Sequence, residues 1–95
     1  MKLVWTGAAR ADRRQIFEYI EVENPRAAAE LDNQFERAAA LLQTHPEMGR
    51  PGRLPGTREF VVHRRYFLLY QVDADTVRIL GVVHTARLWP PAPGD

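Results

Sequence analysis

The sequence predicts an α+β domain of order β-α-α-β-β-β, with a helical hairpin packed on a mainly antiparallel four-stranded sheet. Two stretches in the first half repeat apolar residues at helical spacing and are joined by only Glu23-Asn24. Three strand-like runs follow in the second half, separated by short polar turns. A short β-rich segment opens the chain.

That opening segment, residues 2–6, places Leu3 and Trp5 on one face and Val4 on the other, and Thr6-Gly7 ends it. Over residues 8–22, Ala9, Ile16, Phe17 and Ile20 form an apolar stripe, while Arg10, Asp12, Arg13, Arg14 and Glu18 fill the opposite face. Asn24-Pro25 starts the second helix: Asn is a strong N-cap, and proline at the first helical position gives up only an N–H that has no helical partner. Ala28, Leu31, Phe35, Ala38 and Leu42 mark its buried stripe. The many alanines favour helix and allow close approach of a neighbouring helix. The short connection dictates antiparallel packing of the two helices.

The second helix is expected to stop near Thr44, because His45 precedes Pro46 and is driven out of the helical region. Residues 47–56 contain three glycines and two prolines and read as a loop without a strand. Residues 57–63 alternate as a strand, and His63-Arg64-Arg65 turns the chain into residues 66–72. This last run is so uniformly apolar and aromatic that it suits a central strand covered on both sides. Asp73-Ala74-Asp75 is the next turn, and residues 76–83 are the final strand. The domain is expected to span residues 1–90, leaving a proline-rich disordered tail at 91–95.

Ninety-five residues make one domain, and the 45% hydrophobic and 26% charged content is that of a globular chain. No apolar run reaches the ~20 residues of a membrane helix, so no membrane association and a cytoplasmic location are expected. There is no cysteine, and His45, His63 and His84 are 18 and 21 residues apart, so neither a thiolate site nor a short-spaced metal site is encoded. Serine is absent and no phosphate-cradling glycine motif occurs, so no cofactor is expected. Net charge is +1, but residues 1–47 carry six Lys/Arg against eight Asp/Glu and residues 48–95 carry seven against four. The basic half favours an acidic partner.

Arg50 and Arg53 in the loop, with Arg58 beyond it, present guanidinium groups able to clamp phosphates or carboxylates, or else simply solvated charge. Arg64 and Arg65 sit at a hairpin tip. His84 and Arg87, just before Trp89, are the candidate proton-transfer and charge-stabilising pair for RNA cleavage. The bland alternative is a histidine bonded to backbone and a tryptophan plugging the core. Tyr66, Phe67 and Tyr70 would stack bases only if exposed, and a central strand should bury most of them.

The segments YIEVENPRAAAEL, FERAAALLQTHPEMGRPGRLPGTREFVV and YFLLYQVDADTVRILGVVH contain P-x-M-G-R and G-T-R-E and run into V-x-H-x-x-R-x-W-P. In this order and spacing they resemble the RelE/ParE superfamily of bacterial type II toxins over residues 1–90. The resemblance implies the same β-α-α-β-β-β fold and a cognate antitoxin encoded alongside, forming a hetero-oligomer with the toxin. RelE-like members cleave mRNA in the ribosome, whereas ParE-like members inhibit DNA gyrase, and such systems serve plasmid stabilisation. Against the RelE-like pattern, Arg50, Arg53 and Arg58 match the basic residues before and within the central strands, and His84 with Arg87 the C-terminal group. Phe67 stands where RelE-like enzymes carry an arginine, and no tyrosine follows Trp89. The resemblance therefore implies a ParE-like gyrase inhibitor; an mRNA endoribonuclease and a non-toxic binding protein of the same fold are the alternatives. His84 and Arg87 are then catalytic only in the ribonuclease. In the gyrase inhibitor, Arg50, Arg53, Arg58, Arg64, Arg65, Arg87 and Trp89 form the target or antitoxin surface, and DNA is contacted only through the antitoxin.

Overall fold

The computed structural model describes residues 1–86 and Pro90; Arg87, Trp89 and the 91–95 tail lie outside them. The elements are β1 (Lys2–Trp5), α1 (Gly7–Glu21), α2 (Pro25–Thr44), β2 (Arg50–Pro51), β3 (Arg58–His63), β4 (Tyr66–Asp73) and β5 (Thr76–His84). They form one sheet in the order β1-β5-β4-β3-β2. Only β1 is parallel to its neighbour, β5. The sheet thus has five strands where the sequence suggested four. The extra strand is a two-residue pairing of Arg50 with Glu59 and Pro51 with Arg58, inside the segment expected to be only loop. Breaker-rich composition argues against a long strand, but not against a two-residue edge pairing in which proline needs no ladder donor.

Both helices start as their residues dictate. Thr6 Oγ1 accepts the Ala9 N–H at 3.1 Å, and Asn24 Oδ1 accepts the Ala27 N–H at 3.1 Å. Each satisfies one donor of a first turn that has no helical acceptor. Ala28, Leu31, Phe35, Ala38 and Leu42 are all buried, and all but Ala28 join the core shared with the sheet. On α1, Ile16 and Ile20 pack on the same core, whereas Phe17 lines a shallow cleft beside Arg10 and Arg14. Arg13 ties the helices together. Its guanidinium donates twice to the Asp32 carboxylate, at 2.9 and 2.8 Å, and lies 4.5 Å from the Trp5 ring centre.

β4 is the middle strand, and its side chains divide between two cores. Leu68 and Tyr70 face the helices with Phe35, Val77, Ile79 and Val82. Phe67 and Leu69 join Val83 in a separate cluster on the other face. Burial is complete from Phe67 to Tyr70, but Val72, at the strand's end, is exposed.

The strand ladders are irregular at two places. Between β3 and β4, Val61 pairs with Phe67 and His63 with Tyr66, so Val62 is an extra residue. Between β4 and β5, Leu69 pairs with Gly81 and Tyr70 with Ile79, so Leu80 is extra. A one-residue bulge sends every later side chain of that strand to the opposite face. The two bulges bring His63 and His84 to the helix side, one on each flank of Tyr66. His63 thereby belongs to β3, and the turn expected at 63–65 is confined to Arg64-Arg65.

Past the end of β1, the open edge of β5 is closed by side chains. The Thr6 hydroxyl donates to the Leu80 carbonyl at 3.3 Å, and Asp12 Oδ2 accepts the Val82 N–H at 2.9 Å. These replace the ladder bonds that a longer β1 would have made.

Candidate functional site

The described basic residues singled out in the sequence fall into two groups at opposite ends of β3, roughly 17 Å apart at the strand's rise per residue; Arg87 lies outside the described residues. At the first end, Arg50, Arg53 and Arg58 serve the loop that precedes β3. Glu59 is 2% exposed. It accepts Arg50 Nη2 at 3.0 Å and the Arg53 N–H at 3.1 Å, and Arg53 Nη2 stands 3.7 Å away. Arg58 donates to the Gly49 carbonyl at 2.8 Å. A buried carboxylate requires such partners, and a loop without regular structure requires acceptors and donors for its backbone. The P-x-M-G-R and G-T-R-E motifs are therefore a clasp: each half supplies what the other half must satisfy.

Tyr70 completes the clasp from beneath. Its hydroxyl donates to the Pro46 carbonyl at 2.7 Å and accepts the Gly49 N–H at 2.9 Å. A Cβ at position 49 would meet the Tyr70 hydroxyl at 2.6 Å, so only glycine lets the backbone approach the phenol this closely. Burial pushes the Tyr70 phenol above its ordinary range, against the opposing pull of the Gly49 N–H and Arg58. A raised pKa in the folded state means that the unfolded chain loses this proton first. The stabilisation is complete below about pH 10 and is lost as pH rises through the folded value. Tyr70→Phe is expected to cost about 1–3 kcal/mol at neutral pH, because it leaves the Gly49 N–H buried without an acceptor. Its stability should also fall less steeply above pH 10 than the parent's, which urea melts across pH 8–11 would show.

At the other end, the two bulges assemble a different group. Tyr66 stands between His84, at 5.0 Å between ring centres, and His63, at 6.4 Å, and meets Phe35 edge-on at 5.7 Å. His63 Nδ1 accepts the Arg65 N–H at 3.2 Å, and His84 Nδ1 accepts the Ala86 N–H at 3.0 Å. The two turns are also joined directly. Thr85 donates its N–H to the Arg65 carbonyl at 2.7 Å and its hydroxyl to the Arg64 carbonyl at 2.9 Å. Arg64 and Arg65 are exposed, and their side chains have no hydrogen-bond or ion-pair partner among the described residues.

These residues wall a cleft of about 680 Å³ between the β3–β4 turn and the helical hairpin, closed on the helix side by Tyr19, Ile20, Leu31 and Gln34. Tyr19 is 82% exposed at its rim. Sequence reading placed His84, Arg64 and Arg65 among the site residues but passed over His63, Tyr66 as their centre, and Tyr19. No spacing signals the grouping, because it depends on two bulges. Phe67 lies outside this cleft, 1% exposed on the opposite face, with the Arg53 guanidinium carbon 5.9 Å from its ring centre. Among the described residues no cluster of His, Asp or Glu is arranged to hold a metal, and no helix is long and apolar enough to cross a membrane.

Comparison with known proteins gives a consistent set of similarities. The family model of the ParE toxin of the type II toxin-antitoxin system, parDE, matches residues 3–89. The putative toxin Y4kP of Sinorhizobium fredii is 37% identical over 90 residues, covering 94% of this chain and 93% of that protein. Toxin RelE2 of Caulobacter vibrioides is 37% identical over 87 residues, covering 92% and 98%. Among solved structures, a chain of the chromosomal ParDE TA system from P. aeruginosa superposes with a TM-score of 0.80 at 26% identity, over 88% of this chain and 95% of that one.

Proposed function

This chain belongs to the ParE family of type II toxin–antitoxin toxins, and from that premise we propose that it inhibits DNA gyrase by direct binding and is neutralised by a cognate antitoxin. The observation that carries this reading is Phe67. A ribonuclease of the related RelE-like type would need a cationic side chain there, free to reach the scissile phosphate. Here the position is apolar, buried and beneath Arg53. Loss of one such charge-assisted contact costs a transition state about 3 kcal/mol. Arg50, Arg53 and Arg58 also have intramolecular partners, so using them on RNA would mean opening the clasp around Glu59.

The surface offered to partners then includes the basic end of the sheet at Arg64 and Arg65; Arg87 and Trp89, also assigned to it from the sequence, lie outside the described residues. An acidic antitoxin segment laid there would neutralise the charge. DNA would be reached through the antitoxin.

Supercoiling by purified gyrase should fall as this protein is added and recover when antitoxin follows, while primer extension on cellular mRNA shows no new cuts. Codon-spaced mRNA cuts with normal supercoiling would replace this reading by a ribosome-dependent endoribonuclease. One observation favours that second reading, namely His84 standing against Tyr66 at an open cleft. His84→Ala and Arg87→Ala are expected to lower toxicity at least about tenfold with a loss of no more than about 1 kcal/mol in stability, as for residues whose main contacts are with a partner. Full toxicity in both variants would move the site elsewhere on the molecule.

A further inference from the structure

We propose that the cleft between the β3–β4 turn and the helical hairpin binds the phosphate of a nucleotide through His63, His84, Arg64 and Arg65, with Tyr19 as the platform for its base. The inference does not rest on the gyrase reading.

The argument begins with the two histidines. A neutral imidazole has one donor nitrogen and one acceptor nitrogen. In both rings Nδ1 accepts a backbone N–H of the following turn, from Arg65 and Ala86. Each proton therefore resides on Nε2, and the edge left over for the cleft is a donor. His63, Tyr66 and His84 occupy one rung across three adjacent strands. Two strand spacings put the histidine Cα atoms roughly 10 Å apart. The two imidazole centres stand 6.4 and 5.0 Å from the Tyr66 ring centre, so an anion held by both would lie over Tyr66.

The remaining polar groups have the same character. Arg64 and Arg65 line the cleft, and no carboxylate or carbonyl among the described residues engages their guanidinium groups. Arg13, Arg50 and Arg58, by contrast, each have an acceptor within the molecule. Gln34 and the hydroxyls of Tyr19 and Tyr66 add further donors, and Glu30 is the only carboxylate in the lining among the described residues. Ala27, in the first turn of α2, also borders the cleft, so the positive end of a 20-residue helix contributes to the same field. A carboxylate presents two oxygens, whereas a phosphate ester presents three and is matched better by so many donors.

The apolar half of the wall selects among phosphates. Tyr19 leaves most of its ring open at the rim, with Ile20 and Leu31 below it. An exposed aromatic beside a cationic phosphate site is how unpaired bases are held, by stacking and without sequence preference. That both bulges act on this one rung supports a functional reading, since bulges are used to re-aim side chains beside sites.

The test is a titration of the full chain, followed by ¹H–¹⁵N spectra of backbone amides and imidazole nitrogens, at constant ionic strength. The ligands are inorganic phosphate, AMP, hexathymidylate and hexaglutamate. AMP is expected to shift both Nε2 signals and the amides of Tyr19, Arg65 and Ala86 saturably, and to bind more tightly than inorganic phosphate. Tighter binding of hexathymidylate than AMP would identify a nucleic acid strand as the source, and equal binding a free nucleotide. The Arg64→Ala/Arg65→Ala double variant should weaken AMP at least about tenfold, as expected for lost charge-assisted bonds. His63→Asn and His84→Asn keep an acceptor near the Nδ1 position but remove the Nε2 donor, so they should weaken AMP while leaving the turn amides in place. Hexaglutamate binding as tightly as hexathymidylate would overturn the proposal in favour of an acidic peptide. AMP binding that is absent, or unchanged in the double variant, would overturn it outright.

Discussion

Phe67→Arg is expected to unfold the domain, and not to convert it into a ribonuclease. The substitution introduces the arginine that the resemblance to RelE-like enzymes implies for a ribonuclease, but the position is 1% exposed. Removing the phenyl ring forfeits about 3–5 kcal/mol of burial and packing. A guanidinium in its place also loses hydration, and its surroundings are already cationic. Arg53 lies directly over the ring, and Glu59, diagonally across from it on the neighbouring strand, already holds Arg50 and Arg53. The combined loss approaches the ~5–15 kcal/mol that holds a whole domain together. In thermal melts the variant should lose its cooperative transition or melt at least about 15 °C below the parent. Phe67→Leu, which keeps most of the apolar volume, should stay folded. A Phe67→Arg protein that melts like the parent and cuts mRNA would remove the main support for gyrase as the target.

Phe35→Ala is the second large effect, with an expected loss of about 3–5 kcal/mol. Phe35 is 1% exposed at the centre of the α2 stripe and meets the Tyr66 ring edge-on. Its loss opens a cavity between helix and sheet and removes an aromatic pair worth about 1 kcal/mol beyond its area. Because Tyr66 stands between His63 and His84, the imidazole signals should broaden or shift even under conditions where the variant stays folded. Urea unfolding would show a lower midpoint with an unchanged slope. A midpoint equal to the parent's would mean that α2 does not present this face to the sheet.

The two predictions differ in what made them possible. Phe35 was legible from the sequence: it stands at helical spacing with Leu31 and Leu42, and a stripe of that kind on an Asn-capped helix has to be buried. The departure at position 67 and the burial expected of a central strand were also visible, but the surroundings of the ring were not, since Arg53 and the second core behind the sheet come together only in the tertiary structure. The clasp shows the same division. Three arginines near a glycine-rich loop read as phosphate ligands or, more simply, as loop charge. Glu59 decides their arrangement, and nothing in the sequence marks it as buried.

The sequence by itself determined the two helices, the Asn24 cap, the central strand and the family, because periodicity, capping and turn chemistry act between residues a few positions apart. Only the tertiary structure decided which arginines are engaged, that residues 50–51 pair as a fifth strand, and that His63 and His84 flank Tyr66. Those outcomes depend on strand register, and a bulge of a single residue at Val62 or Leu80 reverses which face a histidine occupies. Register is settled by pairing between distant segments, so the local pattern that reveals a strand leaves its alignment, and with it the site, unspecified.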